Sequence, residues 1–400
     1  LTGEKMDSSL YRAWAEINLD NLTHNLNEIR RMTKNKALVM AVVKADAYGH
    51  GAVEISRELV DNGVDRLAVS SLDEAIKLRK GGIGVPIQLL SHTCLQRAGE
   101  IVDFDIIQTI FDVKLSEAIS YEALKRRKKH VKVHVKIDTG MGRVGFQAGE
   151  QAVQSIKEIS CLKGIEIEGM ITHFASSDEA DISYTEYQLE KFLDTYHRLK
   201  KCGIDIPIRH AANSAGIIAY PQTHLEMVRP GIILYGIYPC KSACTGKADL
   251  KPVMSLKAKV ISSSSFSKGL FISYGRTHKT DRDSRLIVLP VGYADGYNRL
   301  LSNKGRILIK GKYVPVAGRI CMDHFMADVT DIGGVVDVGE EAILFGKQGG
   351  NEISIDEIAK ICETISYEIL CRIGMRIPRI YKKAGKTVGV LNYLNMSAGI

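Results

Sequence analysis

The sequence predicts an α/β protein in two parts: an N-terminal (β/α)8 TIM-type barrel over residues 10–248 and a mainly β domain over residues 249–400. Continuous apolar runs of strand length alternate with stretches of helical periodicity through the first half. The alternation recurs about eight times in roughly 220 residues, as eight βα units require. From about residue 250 the helical pattern gives way to short β-rich segments with Gly and Asp turns between them.

Leu19, Leu22, Leu26 and Ile29 recur at helical spacing and open the series. Residues 37–43 are apolar throughout, which suits a strand buried on both faces in a parallel sheet. Residues 53–61 read as a helix ending at Asn62-Gly63, and residues 67–69 as the next strand. A helix over 72–80 stops at Gly81-Gly82, and strands follow at 86–90 and 105–107. Helices over 113–127, 152–159 and 184–201 precede strands at 131–137, 165–172 and 206–209, and residues 225–229 form the eighth strand. An open doubly wound sheet is the rival, but it rarely needs eight such units, and no Gly-x-Gly-x-x-Gly follows the first strand. In the second domain residues 256–261, 286–291, 306–309, 314–322 and 342–345 read as strands and only 355–363 as helix.

Composition narrows the function. Hydrophobic residues make up 45% and charged residues 25% of 400, an ordinary globular balance. No apolar run approaches the ~18 residues of a membrane span, so no membrane contact is expected. The net charge of +8 admits a nucleic-acid partner. The basic residues are scattered, however, and the cluster at 125–129 reads as a solvated helix end, so no nucleic acid is expected. Eight cysteines show no Cys-x-x-Cys pair, and Cys240 and Cys244 lack a second ligand pair, so no metal is expected. Reduced thiols suit a cytoplasmic location. Residues 1–5 carry no apolar signal core, and Leu1 stands where an initiator methionine would, which leaves a longer precursor open.

Active sites of such barrels lie at the carboxyl ends of the strands. Lys44 follows strand one, Lys136, Asp138 and Arg143 lie at or after strand five, and His173 follows strand six. Asn213 and Ser214 follow strand seven, and Arg229 and Gly231 follow strand eight. A lysine closing an apolar strand is partly desolvated, which favours its neutral, nucleophilic amine. The bland alternative is a snorkelling strand end; the turn after it, with Tyr48 between small residues, favours function. Ser214 can cap a helix whose free amides hold an anion. Together with Gly231 and Lys44, it suggests a phosphorylated cofactor bound covalently to lysine.

The segment Ala41-Val42-Val43-Lys44-Ala45-Asp46-Ala47-Tyr48-Gly49-His50-Gly51 resembles the cofactor-lysine motif of the alanine racemase family. Lys136-Ile137-Asp138-Thr139-Gly140-Met141-Gly142-Arg143, Thr172-His173-Phe174, Asn213-Ser214-Ala215 and Arg229-Pro230-Gly231 agree in order and spacing. So do Gly292-Tyr293-Ala294-Asp295-Gly296 and Gly318-Arg319-Ile320-Cys321-Met322-Asp323. The resemblance runs from about residue 13 to residue 381 and implies pyridoxal 5′-phosphate on Lys44. It implies that Tyr48, Ser214, Gly231, Ile232 and Tyr367 hold the phosphate, with Asn213 beside them. Lys44 and Tyr293 would be bases on opposite faces of the substrate α-carbon, Tyr293 coming from the partner in a homodimer. Arg143 and the Met322 backbone would hold the substrate carboxylate, with Lys136 (often carbamylated in the family) and Asp323 in support. Arg229 would face the pyridine nitrogen, and His173 with Arg229 would link Tyr293 to the ring. The implied reaction interconverts L- and D-alanine and supplies D-alanine for peptidoglycan.

The chemistry is consistent with that resemblance. Racemisation needs one base to remove the α-proton and another to return a proton from the opposite face. An arginine keeps its proton, so the ring nitrogen facing it stays largely unprotonated, which favours return of a proton to the α-carbon. Asp46 stands where asparagine is frequent, His324 where glutamine is usual, and Met375 where an aromatic is frequent near the substrate entrance. The last change keeps a serine, or dual serine/alanine, racemase domain of a glycopeptide-resistance protein as the alternative. A decarboxylase of the same cofactor fold would need no opposed tyrosine, and a non-catalytic cofactor carrier would be a lone barrel.

Overall fold

A computed structural model of the chain describes residues 10–239, 244 and 246–395; Cys240 lies outside the described residues. The described residues form two compact units, one within residues 22–47 and 52–251 and the other within residues 1–21, 48–51 and 252–400.

The first unit is a barrel of eight parallel strands. They are Leu38–Val42, Arg66–Val69, Ile87–Leu89, Ile106–Ile110, Val131–Asp138, Ile165–Ile171, Ile208–His210 and Met227–Val228. Ladders join each strand to the next from one to seven, and strand eight pairs with strand one. Between strands seven and eight, the Arg229 N–H donates to the Ala212 carbonyl at 3.0 Å. Every residue of Ile106–Ile110 is buried, as expected where helices cover a parallel sheet. Local signals fix the helix starts. Ser71 and Glu74 form a capping box on Leu72–Lys80, and Asp112 caps Val113–Lys125. One irregularity interrupts the register: strand six carries Glu168 as an extra residue between the pairs Val133–Ile167 and His134–Gly169.

The second unit is built on a mainly antiparallel sheet of eleven strands. Residues 13–18 do not belong to the barrel, to which the sequence reading assigned them. Ala13–Asn18 pairs antiparallel with Met254–Lys259 and parallel with Arg379–Lys383. Its buried Trp14 and Ile17 pack in that sheet. Residues 48–51 also belong to this unit. The Tyr381 hydroxyl donates to the His50 carbonyl and the Arg379 Nε–H to that of Gly49, both at 2.9 Å. The strand expected over 314–322 ends at Ala317, because Gly318 turns the chain with φ +82°. A second helix, Ser366–Cys371, follows Ile355–Ile361. No described helix is long and apolar enough to cross a membrane.

Candidate active site

The rim of the barrel begins with an unusual turn. After strand one, Ala45, Asp46, Ala47 and Tyr48 all have φ between +51° and +54°. A left-handed conformation costs a non-glycine residue about 1–2 kcal/mol, so tethers must hold the turn. The Ala45 N–H donates to Glu74 Oε1 at 2.6 Å, and the Ala47 N–H to the Val43 carbonyl at 2.9 Å. Asp46 Oδ1 accepts from the Ala52 N–H and pairs with Lys77 at 3.0 Å. Lys44, half-buried, enters this turn from the strand.

At the end of strand five, burial pulls the Lys136 ammonium down to about 8, with Arg143 and Arg229 adding repulsion. Burial alone would raise the Asp138 carboxyl. Amide donors from Gly140, Gly142 and Arg143, at 2.9, 3.1 and 3.0 Å, outweigh it and hold the group below its ordinary value. Asp138 therefore grips the backbone of the loop that carries Arg143, whose side chain is exposed.

Arg229 is 4% exposed and densely held. One terminal nitrogen donates to the His210 carbonyl at 2.7 Å and faces His210 Nδ1 at 3.2 Å. The other donates to the carbonyls of Thr172 and Ala211, at 2.7 and 3.0 Å, and faces His173 Nδ1 at 3.4 Å. Burial lowers its hold on the proton to about 9, which leaves it a cation at neutral pH. Its Nε–H has no acceptor among the described residues. Burial, then Arg229, keep His173 neutral at physiological pH.

Asn213, not Ser214, caps the helix after strand seven: its Oδ1 accepts the Gly216 N–H at 2.9 Å and a hydrogen bond from Ser177. Ser214 is the first helical residue, and its Oγ accepts the Gly231 N–H at 3.0 Å. The Ser214 proton is thus left to donate elsewhere. Ile232 opens a short 3-10 turn, whose first amide has no acceptor within the turn.

The second unit carries the remaining candidates. Tyr293 and Met322 are exposed at 45% and 52%. Their loops are laced together: the Tyr293 N–H donates to the Cys321 carbonyl at 3.0 Å and the Ala294 N–H to that of Met322 at 3.1 Å. Asp295, fully buried, accepts the Gly292 N–H at 3.0 Å. Arg376 lies 3.2 Å from Asp295 and 2.7 Å from Asp323, tying both loops together. Tyr48 is buried with its ring centroid 6.0 Å from that of Tyr367; burial, then Tyr367 and Cys371, raise its hydroxyl above the ordinary range.

Sequence reading missed Glu74, Asp295 and Arg376, and assigned Asp138 no role. Ser71-Leu72-Asp73-Glu74 does carry a capping-box signal, and Gly292 and Gly296 flank Asp295. No local pattern marks Arg376, which acts across more than fifty positions.

A parallel barrel with a lysine on its rim, continued by a β unit that presents a tyrosine turn, has the architecture of the barrel-type amino-acid racemases, which are isomerases. The chain belongs to the alanine racemase family. The model of the alanine racemase N-terminal domain matches residues 17–239, and that of the C-terminal domain matches residues 253–381. Alanine racemase 2 of Caldanaerobacter subterraneus subsp. tengcongensis is 47% identical over 95% of this chain and 97% of its own. Among solved structures, the alanine racemase of Clostridium difficile matches with a TM-score of 0.92 and 40% identity, over 96% of this chain and 99% of that one. A histidine racemase from Leuconostoc mesenteroides matches at 0.86 and 30%, over 93% and 98%. The relatives' names favour alanine over the serine alternative.

Proposed function

We propose that the chain interconverts L- and D-alanine with pyridoxal 5′-phosphate as cofactor. The observation that carries this reading is Arg229, a cation whose terminal nitrogens are fully engaged and whose Nε–H is left as donor. That donor suits a ring nitrogen that must accept a hydrogen bond without gaining the proton.

The donor set fits the rest of the cofactor. Lys44 offers an amine for its carbonyl. The Ser214 hydroxyl, the Ile232 amide, and the hydroxyls of Tyr48 and Tyr367 would hold the phosphate, joined by the Gly231 amide once it exchanges Ser214 Oγ for a phosphate oxygen, with Asn213 capping the helix that Ser214 opens. When bound, the cofactor withdraws electrons from the substrate α-carbon, so that its proton becomes removable.

The remaining chemistry belongs to side chains. Lys44 removes or returns the α-proton on one face, and Tyr293, from a second copy of the chain in a homodimer, does so on the other. Arg143 and the Met322 N–H orient the substrate carboxylate, and Asp323 fixes the Met322 loop through Arg376. His173, which presents Nδ1 to Arg229, keeps its proton on Nε2 and can donate it toward Tyr293. Lys136, near half-neutral at about pH 8, can add its amine to carbon dioxide and release a proton. The resulting carbamate would replace repulsion of Arg143 by attraction. Reduced cysteines support a cytoplasmic site for the reaction, whose D-alanine would serve peptidoglycan.

The purified chain with pyridoxal 5′-phosphate should be yellow, lose its visible band on borohydride reduction, and racemise L-alanine much faster than L-serine in a chiral assay. A colourless protein, or comparable rates on the two substrates, would overturn the reading.

A further inference from the structure

The interior of the barrel holds a polar chain that the proposed reaction does not call on. Behind Arg229, His210 Nε2 lies 2.8 Å from His134 Nδ1, and His134 Nε2 lies 3.1 Å from Glu168 Oε2. Glu168 also pairs with Lys132 at 2.7 Å and with Arg66. Strands two and six stand opposite each other in the ring, so the Arg66–Glu168 pair crosses the barrel interior. Both histidines are fully buried and Glu168 is 6% exposed.

The strands are shaped for this chain of contacts. Glu168 is the bulged residue of strand six, which re-aims its side chain. At Gly169 a Cβ would lie 2.4 Å from the His134 ring, so only glycine leaves the imidazole its place. A buried ion cluster of this kind is a poor source of stability, because desolvation offsets its attraction and apolar replacements often do as well. A role beyond stability is therefore the better account.

The partners settle both tautomers. A guanidinium only donates, so His210 Nδ1 must accept from Arg229, and the His210 proton sits on Nε2. That proton is donated to His134 Nδ1, so the His134 proton also sits on Nε2 and is donated to Glu168. We propose that Glu168 is a positioning residue for Arg229: as an obligate acceptor it fixes the direction of the whole relay, so that His210 presents a lone pair, not a proton, to the guanidinium. With the opposite direction, a His210 Nδ1–H would face an Arg229 N–H, and the guanidinium would be pushed from its place. Burial keeps both imidazoles neutral, and hydrogen bonds from His134, Arg66 and Lys132 overcome the burial penalty to keep Glu168 ionised. The inference rests on the racemase reading only for what Arg229 faces.

The test uses the holoprotein labelled with [15N]histidine. Long-range proton–nitrogen correlations should show His134 and His210 as neutral Nε2–H rings between about pH 6 and 9. An Nδ1–H or doubly protonated ring at either position overturns the relay, and this arm needs no variant. In Glu168→Gln, whose amide cannot accept from His134 without aiming its NH2 at Arg66 and Lys132, the His210 signals should change although that residue does not touch position 168. Its kcat should fall about tenfold with KM changed less than about threefold, and the pH midpoint of the visible band should move. Unchanged His210 signals together with an unchanged band contradict the proposal. A wild-type chain that fails to racemise alanine defeats the racemase reading and leaves the tautomer arm standing.

Discussion

The two turns that carry the proposed bases are built in opposite ways. The turn after Lys44 puts four successive non-glycine residues into the left-handed region and restrains them with the carboxylates of Glu74 and Asp46. The turn at Tyr293 has no positive φ at Tyr293, Ala294 or Asp295, and is restrained by close approach. At Gly292 a Cβ would lie 2.2 Å from the Met322 carbonyl oxygen, and at Gly296 one would lie 2.1 Å from that of Arg372. One base is thus placed by side-chain tethers working against backbone strain, the other by packing that leaves no room for a methyl group. The first turn should fail when an acceptor is lost, and the second when volume is added.

The largest effects should come from the bases themselves. Lys44→Ala and Tyr293→Phe are each expected to lose about 10²–10⁴ of the racemisation rate. Only Lys44→Ala should also lose the borohydride-sensitive visible band. A Tyr293→Phe protein that lost the band as well would show that the two turns are not functionally separable. Next comes Gly292→Ala, where backbone must shift; it should cost about 3 kcal/mol or more in denaturant unfolding and abolish activity. Wild-type stability in that variant would refute the steric account of the second turn.

Glu74→Ala should be milder. It removes the acceptor for the Ala45 N–H and the capping-box partner of Leu72–Lys80, for about 1–2 kcal/mol, and should weaken cofactor binding measured by absorbance titration. Unchanged cofactor affinity would mean that the Glu74 tether does not hold the turn. The smallest effect concerns Lys136, whose pKa is lowered from 10.5 to about 8 by burial. A depressed ammonium costs stability in full below the folded value, and the cost is relieved as pH rises from about 8 toward 10.5. In buffer freed of carbon dioxide, where Lys136 stays an amine, Lys136→Met should therefore raise Tm at pH 7, with the gain shrinking across that interval. A gain that grows with pH would mean that the ammonium is stabilised in the fold.

Much of the barrel could be read from the chain, because buried parallel strands are continuous apolar runs and rim residues must follow them in sequence. Lys44, Asn213, Ser214 and Arg229 were placed by that rule alone. Residues 13–18 escaped it, since their alternation leads into a helical pattern and their sheet partners lie at 254–259 and 379–383. The left-handed turn at 45–48 contains no glycine to announce it. The bulge at Glu168 depends on register with strand five, which no single strand encodes. Ser214 looked like a cap by residue type, but Asn213 caps equally well and sits one position earlier. In the second unit, Tyr293 was marked by its glycines, whereas Arg376 holds two loops through contacts that are remote in sequence.

The claim that two separately built turns serve opposite faces of one carbon is tested most directly by α-proton exchange in D2O. L- and D-alanine are incubated in parallel with Tyr293→Phe holoprotein and followed by NMR and chiral chromatography. Lys44 alone should exchange the α-proton of one enantiomer with retention of configuration, leave the other enantiomer almost unexchanged, and produce racemate at least about 100-fold more slowly than the wild type. Equal exchange of both enantiomers, or racemisation at the wild-type rate, would contradict the account.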